Sequence, residues 1–212
     1  MSSSTSSSTS KGYQFTLAGD TVTAVYEVEH GRAKLERMDS RDSWRVDGDQ
    51  IIHTETAFGK VETHQYADAN QDGLYQQVFE LEVRTGANVR KLETYRFAQS
   101  DGVALTGGQA QAGDSIASVQ ELGRRGWQPE RIGSADSFSV ALVDGDALVL
   151  HTQLKKNGAL AFEVFRDDDG DGLWSAIASG SSTGEFVTAA GQIDLVGMAN
   201  AGCLSAADAL IG

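Results

Sequence analysis

Two short acidic stretches carry residue types at a spacing that suits a metal ion. Asp68-Ala69-Asn70-Gln71-Asp72-Gly73-Leu74-Tyr75 returns later in the chain as Asp167-Asp168-Asp169-Gly170-Asp171-Gly172-Leu173-Trp174. In both, side-chain oxygens stand at positions 1, 3 and 5, glycine stands at position 6, and an aliphatic and then an aromatic residue follow. A hard cation such as Ca²⁺ takes about six to eight oxygen ligands, and a chain curling around it presents every second side chain inward. Glycine at position 6 permits the sharp turn that a Cβ would obstruct. The pattern is the first half of a calcium loop.

The match stops at an informative place. An EF-hand closes its loop with a bidentate Glu at position 12, but here those positions are Phe79 and Ala178. The flanks also differ from an EF-hand, because Lys60 to Tyr66 and Leu74 to Val83 alternate with period two and are rich in β-formers. Each copy therefore reads as strand, acidic loop, strand. Asp, Asn and Gly also make good turns without any metal. What favours calcium is the recurrence of the loop at matching places in a repeat, and the missing carboxylate implies weak affinity.

The elements that must position these loops come from a duplication. GDTVTAVYEVEHGRAKLERMDSRDSW, starting at Gly19, aligns without a gap on GDSIASVQELGRRGWQPERIGSADSF, starting at Gly113. Val25, Glu36, Asp42 and Trp44 thereby correspond to Val119, Glu130, Asp136 and Phe138. The turn Val46-Asp47-Gly48-Asp49 recurs as Val143-Asp144-Gly145-Asp146, Ile52-His53-Thr54 as Leu150-His151-Thr152, and finally the acidic loop itself recurs. Short alternating runs separated by Asp-Gly turns predict an all-β fold. The expected architecture is two duplicated units of antiparallel β-hairpins, forming a barrel-like or two-layer sheet with pseudo-two-fold symmetry. In β-type alternation Val22, Ala24, Tyr26 and Val28 would share one strand face.

The expected division is a Ser/Thr-rich disordered leader at 1–11, a first repeat unit at 12–100, a second at 101–195 and a tail at 196–212. The leader lacks the apolar segment of a secretory signal peptide. Near the C-terminus, residues 194–202 read as a closing strand and Ser205 to Ile211 as a short helix capped by Ser205.

Composition narrows the function. With 212 residues the chain is long enough for a substantial core, and 24 Gly against one Pro fits a turn-rich β protein. A formal net charge of −13 repels phosphate backbones and anionic membranes, so nucleic acid is not an expected partner. No apolar run approaches the roughly 20 residues of a membrane helix, so no membrane insertion is expected. The single Cys203 excludes an internal disulfide and a cysteine-built zinc site, and its neighbours supply no activating base.

The run FTLAGDTVTAVYEVEHGRAKLERMDSRDSW, continuing WRVDGDQIIHTETAFGKVETHQYADANQDGLY, resembles modules of bacterial RTX (hemolysin-type calcium-binding) proteins exported by type I secretion. The likeness covers about 15–85 well and the second copy loosely. It implies a secreted, extracellular protein with Ca²⁺ as ligand. It also implies an uncleaved C-terminal export signal read by the type I secretion machinery, which the absence of Lys and Arg after Arg166 fits. By that likeness Asp68, Asn70 and Asp72, and Asp167, Asp169 and Asp171, are the metal ligands. The diagnostic nonapeptide GGxGxDxUx is absent, so a β-roll is not expected.

Other chemistry has thinner support. No GxSxG, HExxH or P-loop pattern occurs. His53 and His151 occupy equivalent strand positions, which inheritance from one ancestral unit explains more economically than a paired site. His53 and His64 could meet Glu55 or Glu62 across strands as an acid/base cluster. The leading expectation is a calcium-binding structural or binding module with no catalytic residues. The alternatives are a polysaccharide-active hydrolase or lyase with a site between the two units, and an adhesin-like module binding a protein or glycan. Trp127, opposite Ala33 in the first copy, is the aromatic that duplication leaves unexplained.

Overall fold

The computed structural model describes residues 11–84, 94–201 and 203–204. The leader up to residue 10 and the helix expected from Ser205 lie outside the described residues. In the first copy β1 is Gly12–Ala18, β2 Thr21–Glu29, β3 Arg32–Leu35, β4 Asp42–Asp47, β5 Gln50–Ala57, β6 Lys60–Ala67 and β7 Gln76–Arg84. β8, Thr94–Ala98, still lies within the bounds expected of the first unit, and in the second β9 is Ser118–Gly123, β10 Gly126–Pro129, β11 Asp136–Val143, β12 Asp146–Leu154, β13 Leu160–Arg166 and β14 Trp174–Ser182. Among the described residues one helix, α1, spans Leu195–Asn200. The chain is thus all-β with antiparallel sheets, and no closed barrel forms among the described residues.

By compactness the chain divides into Met1–Thr56 with Thr63–Val78, and Ala57–Glu62 with Phe79–Gly212. In the first unit β1, β2 and β3 form a three-stranded sheet and β4 pairs with β5. The core here joins Val22, Val25, Ile51 and Tyr66, with Tyr13, Phe15, Trp44 and Tyr75 packed on it. In the second unit β11, β12, β13 and β14 are successive neighbours, β14 also pairs with residues 79–83 of β7, and β8, β9 and β10 follow in order. One core cluster of this unit centres on Leu81, Val164 and Met198, and another on Phe97, Val149 and Trp174.

Equivalent residues of the two copies make equivalent backbone bonds. Glu36 N–H donates to the Val25 carbonyl at 2.8 Å, and Glu130 N–H to that of Val119 at 2.9 Å. Asp42 N–H donates to Asp39 at 3.1 Å, and Asp136 N–H to Gly133 at 3.2 Å. The hairpin registers agree as well: Trp44 stands opposite His53 and Phe138 opposite His151.

Two expectations are corrected. Strict alternation along β2 fails, because Thr16 pairs with Ala24 while Leu17 pairs with Val22. Thr23 is the extra residue of a β-bulge, and its hydroxyl donates to the Thr16 carbonyl at 3.0 Å. The bulge resets the side-chain parity, so Val22 and Val25 are both buried. The expected strand at 194–202 is instead α1. Asp194 caps its first turn by accepting from Gly197 N–H at 2.9 Å, and Leu195 and Met198, three residues apart, are buried in the core.

Candidate functional site

Both acidic loops close on themselves through the same bonds. Asp68 Oδ2 accepts from Gly73 N–H at 2.8 Å, and Asp167 Oδ2 accepts from Gly172 N–H at 2.9 Å, position 6 to position 1 in each case. Asp72 Oδ1 accepts from Leu74 N–H and Asp171 Oδ1 from Leu173 N–H, both at 2.8 Å. The backbone enters the left-handed region at position 4 (Gln71, φ 58°; Gly170, φ 75°) and again at position 6 (Gly73, φ 83°; Gly172, φ 82°). Glycine meets the second requirement without the steric penalty other residues carry there. The aromatic at position 8 anchors each loop to an earlier strand, β1 for the first loop and β8 for the second. Tyr75 exchanges two 2.9 Å backbone bonds with Tyr13, and Trp174 pairs with Tyr95 while donating its indole N–H to the Leu105 carbonyl at 3.0 Å.

The loops differ in the oxygens they bring together. In the second, Asp167, Asp169 and Asp171 each bring a carboxylate oxygen within 4.8 Å of the others. Asp167 is buried and also accepts from Gly107 N–H and Gly170 N–H, at 2.8 and 2.9 Å, so its position is fixed from both sides. Asp169 accepts from Asp171 N–H at 3.3 Å. In the first loop the middle residue is Asn70, which donates its amide to Asp72 Oδ2 at 3.0 Å. An all-oxygen donor set built on three carboxylates could hold a hard metal ion. Position 12 contributes nothing, since Phe79 and Ala178 are both buried in the apolar core.

The histidines form a different arrangement. His53 Nε2 lies 3.3 Å from Asp42 Oδ1 and its ring stacks on Trp44 at 3.9 Å; His151 Nε2 lies 3.3 Å from Asp136 Oδ1 and its ring stacks on Phe138 at 4.4 Å. Asp136 is fixed in turn by Gly133 N–H at 2.6 Å and the Gln153 amide at 2.9 Å. This shared aspartate–histidine–aromatic stack braces each hairpin. His64 stands beside His53, with 5.7 Å between ring centroids. Of the residues in the acid/base grouping expected of His53 and His64 with Glu55 or Glu62, His53 has Asp42 as a partner, and Glu62 takes the Lys60 ammonium at 2.5 Å.

Only the second copy adds another carboxylate. Glu163 Oε2 lies 3.1 Å from His151 Nδ1, so the imidazole is held between two acids. Burial works against charging His151, but the hydrogen bonds and charges of Glu163 and Asp136 outweigh it and hold its pKa above the ordinary imidazole value. The His151 hydrogen bond pulls Glu163 below the usual carboxylate range against the opposing effect of burial. His151 and Glu163 border a groove of about 430 Å³ that also meets Glu80, Glu82, Ser179 and Ser181. Sequence reading missed this groove. The signal was the period-two acids Glu80 and Glu82, together with the Glu that replaces His64 at four residues before the second acidic loop. Trp127 is explained here too, since the Arg96 guanidinium lies over its ring, 4.0 Å from the centroid.

No protein family, no curated protein and no solved structure matches the chain.

Proposed function

We propose that the chain is a calcium-binding β module of a secreted protein, exported by a type I system in the manner of RTX proteins, in which it acts as a structural or binding part. The observation that carries the reading is the convergence of Asp167, Asp169 and Asp171 oxygens within 4.8 Å on a loop whose backbone amides already hold each carboxylate in place. Three clustered carboxylates repel one another, and a divalent cation removes that repulsion in the folded form alone, so calcium binding adds stability by mass action. The first loop, with Asp68, Asn70 and Asp72, is the weaker of the two sites because it presents two carboxylates rather than three. Without a bidentate ligand at position 12, water completes the shell, and the affinity belongs to the range of extracellular modules, roughly 10⁻⁴ to 10⁻³ M. Equivalent backbone bonds at Glu36 and Glu130, and equivalent hairpin registers at Trp44 and Phe138, support the duplication. The role of the tail as an export signal rests on its composition, which has no Lys or Arg after Arg166.

Thermal melting with calcium and with EDTA, alongside calorimetric titration, tests the proposal. Calcium raises the melting temperature, and Asp72→Ala combined with Asp171→Ala removes the increment. An identical melting temperature in millimolar calcium and in EDTA would overturn the reading.

A further inference from the structure

Strand β8 makes the pairings in the second copy that β1 makes in the first. In β1 and β2, Tyr13 pairs with Glu27, Phe15 with Val25 and Thr16 with Ala24; in β8 and β9, Tyr95 pairs with Glu121, Phe97 with Val119 and Ala98 with Ser118. Glu27 and Val25 are the duplication counterparts of Glu121 and Val119, so the two ladders share one register. The connections between the paired strands are not alike. Residues 17–23 join Thr16 to Ala24, whereas residues 99–117 join Ala98 to Ser118, a path longer by twelve residues.

The added length packs on the second acidic loop. Leu105 N–H donates to the Phe97 carbonyl at 2.8 Å, and the Leu105 carbonyl accepts from the Trp174 indole at 3.0 Å. Leu105 and Ala110 are buried with Trp174 in one core cluster. Gly107 comes closest to the loop: its N–H donates to Asp167 Oδ2 at 2.8 Å, and a Cβ on it would lie 2.9 Å from the Asp167 carbonyl oxygen. Any larger residue at 107 pushes the segment off the carboxylate. At Gly108 an added Cβ meets nothing within 4 Å.

These contacts orient one carboxylate. Asp167 Oδ2 accepts from both Gly107 and Gly172, which fills its two acceptor positions, and among the described residues Oδ1 accepts one bond, from Gly170. Oδ1 is therefore the oxygen with room for a further ligand bond. In the first loop Asp68 is held by amides of its own loop, those of Asp72 and Gly73.

We propose that segment 99–117 is a positioning element for the second acidic loop, its Gly107 amide fixing the orientation of the Asp167 carboxylate before an ion arrives. The positioning stands without an ion; its effect on calcium rests on the calcium reading given above. A ligand group held in advance loses less freedom on binding, so the second loop fills at lower calcium than the first.

Amide hydrogen exchange of the full chain in EDTA, read by NMR, tests the positioning, and calorimetric calcium titration tests its consequence. In the unaltered chain the Gly107 and Gly172 amides are expected to exchange at least about tenfold more slowly than that of Gly73 in the first loop. This comparison needs no variant, so it decides even where a substitution prevents folding. Gly107→Ala is expected to speed Gly172 exchange at least about tenfold and leave Gly73 unchanged, while Gly108→Ala changes neither. In the titration Gly107→Ala weakens the tighter of two calcium sites about tenfold and leaves the weaker as it was. Gly107 and Gly172 amides that exchange as fast as Gly73 overturn the proposal. So does Gly172 protection that survives Gly107→Ala or is lost equally in Gly108→Ala, and so does a tighter calcium site that Gly107→Ala leaves unchanged. Should calcium give no heat in any form, the calcium reading falls and the exchange rates alone decide the positioning.

Discussion

At the level of single residues, position 3 of the second loop is the most informative. Asp169 is exposed and shares its carboxylate with the loop through one long bond, to Asp171 N–H, so its principal use in the proposed site is as a ligand. Asp169→Asn keeps the shape and removes one charge, which makes the second loop resemble the first. Calcium affinity measured calorimetrically is expected to fall about tenfold, while the melting temperature in EDTA stays the same or rises, because a like-charge repulsion has been removed. A purely structural loop would give no calcium heat in either form. Gly172 makes the complementary case. Its φ of 82° is left-handed and an added Cβ would meet Thr106 Cγ2 at 3.5 Å, so Gly172→Ala is expected to cost about 1–2 kcal/mol in denaturant unfolding, with calcium or without it. The three converging aspartates and this glycine were legible in the sequence because spacing along one short loop encodes them. The Gly107 amide that fixes Asp167 was not, since it comes from a segment sixty residues away whose sequence carries no matching pattern.

At the level of elements, strand existence and hairpin turns were readable from alternation and Asp-Gly pairs, and β4 to β7 and their second-copy counterparts lie where those signals placed them. What alternation could not show was the bulge at Thr23, because an extra residue leaves composition unchanged while reversing the parity of everything beyond it. The helix α1 was missed for a related reason: six residues are too few for a helical period to stand out from an alternating one, and the deciding feature is the Asp194 cap. The groove was invisible because β7 is distant in sequence from β12, β13 and β14 and joins them only through the sheet. One consequence belongs to the β11–β12–β13 ladder, where Asp136, His151 and Glu163 come from three successive strands. His151 has a raised pKa in the fold, so its contribution is complete below its unfolded value of about 6.5 and is lost as pH rises through the folded value. Asp136 and Glu163 have lowered pKa values, so their contributions are present above their unfolded values near 4 and are lost as pH falls through the folded ones. The chain should therefore outlast His151→Gln by the widest margin in melting temperature between about pH 4.5 and 6.5, with the margin shrinking toward pH 8.5. A margin that is constant across this range would remove the charged triad as its source.

At the level of the whole molecule, the dominant quantity is a formal charge of −13 on 212 residues, with three carboxylates of one loop inside 4.8 Å. Two physical effects of added calcium must be separated: general screening, which any salt provides, and specific neutralisation at the loops. Screening weakens exposed repulsions beyond a Debye length of about 10 Å at 0.1 M, but it acts poorly on charges a few ångströms apart. A bound divalent ion acts where screening does not. Melting should therefore rise modestly from 0.01 to 0.3 M KCl in EDTA, and further when CaCl₂ replaces KCl at equal ionic strength. At a calcium concentration about a hundred times the dissociation constant the added stability is about 2.7 kcal/mol per site, equivalent to several degrees for a chain of this size. Magnesium at the same concentration should give less, since it gives up its hydration water reluctantly and demands octahedral geometry that an open loop does not impose. Should KCl, magnesium and calcium of matched ionic strength raise melting equally, the net charge alone would explain the stabilisation and the loops would be ordinary turns.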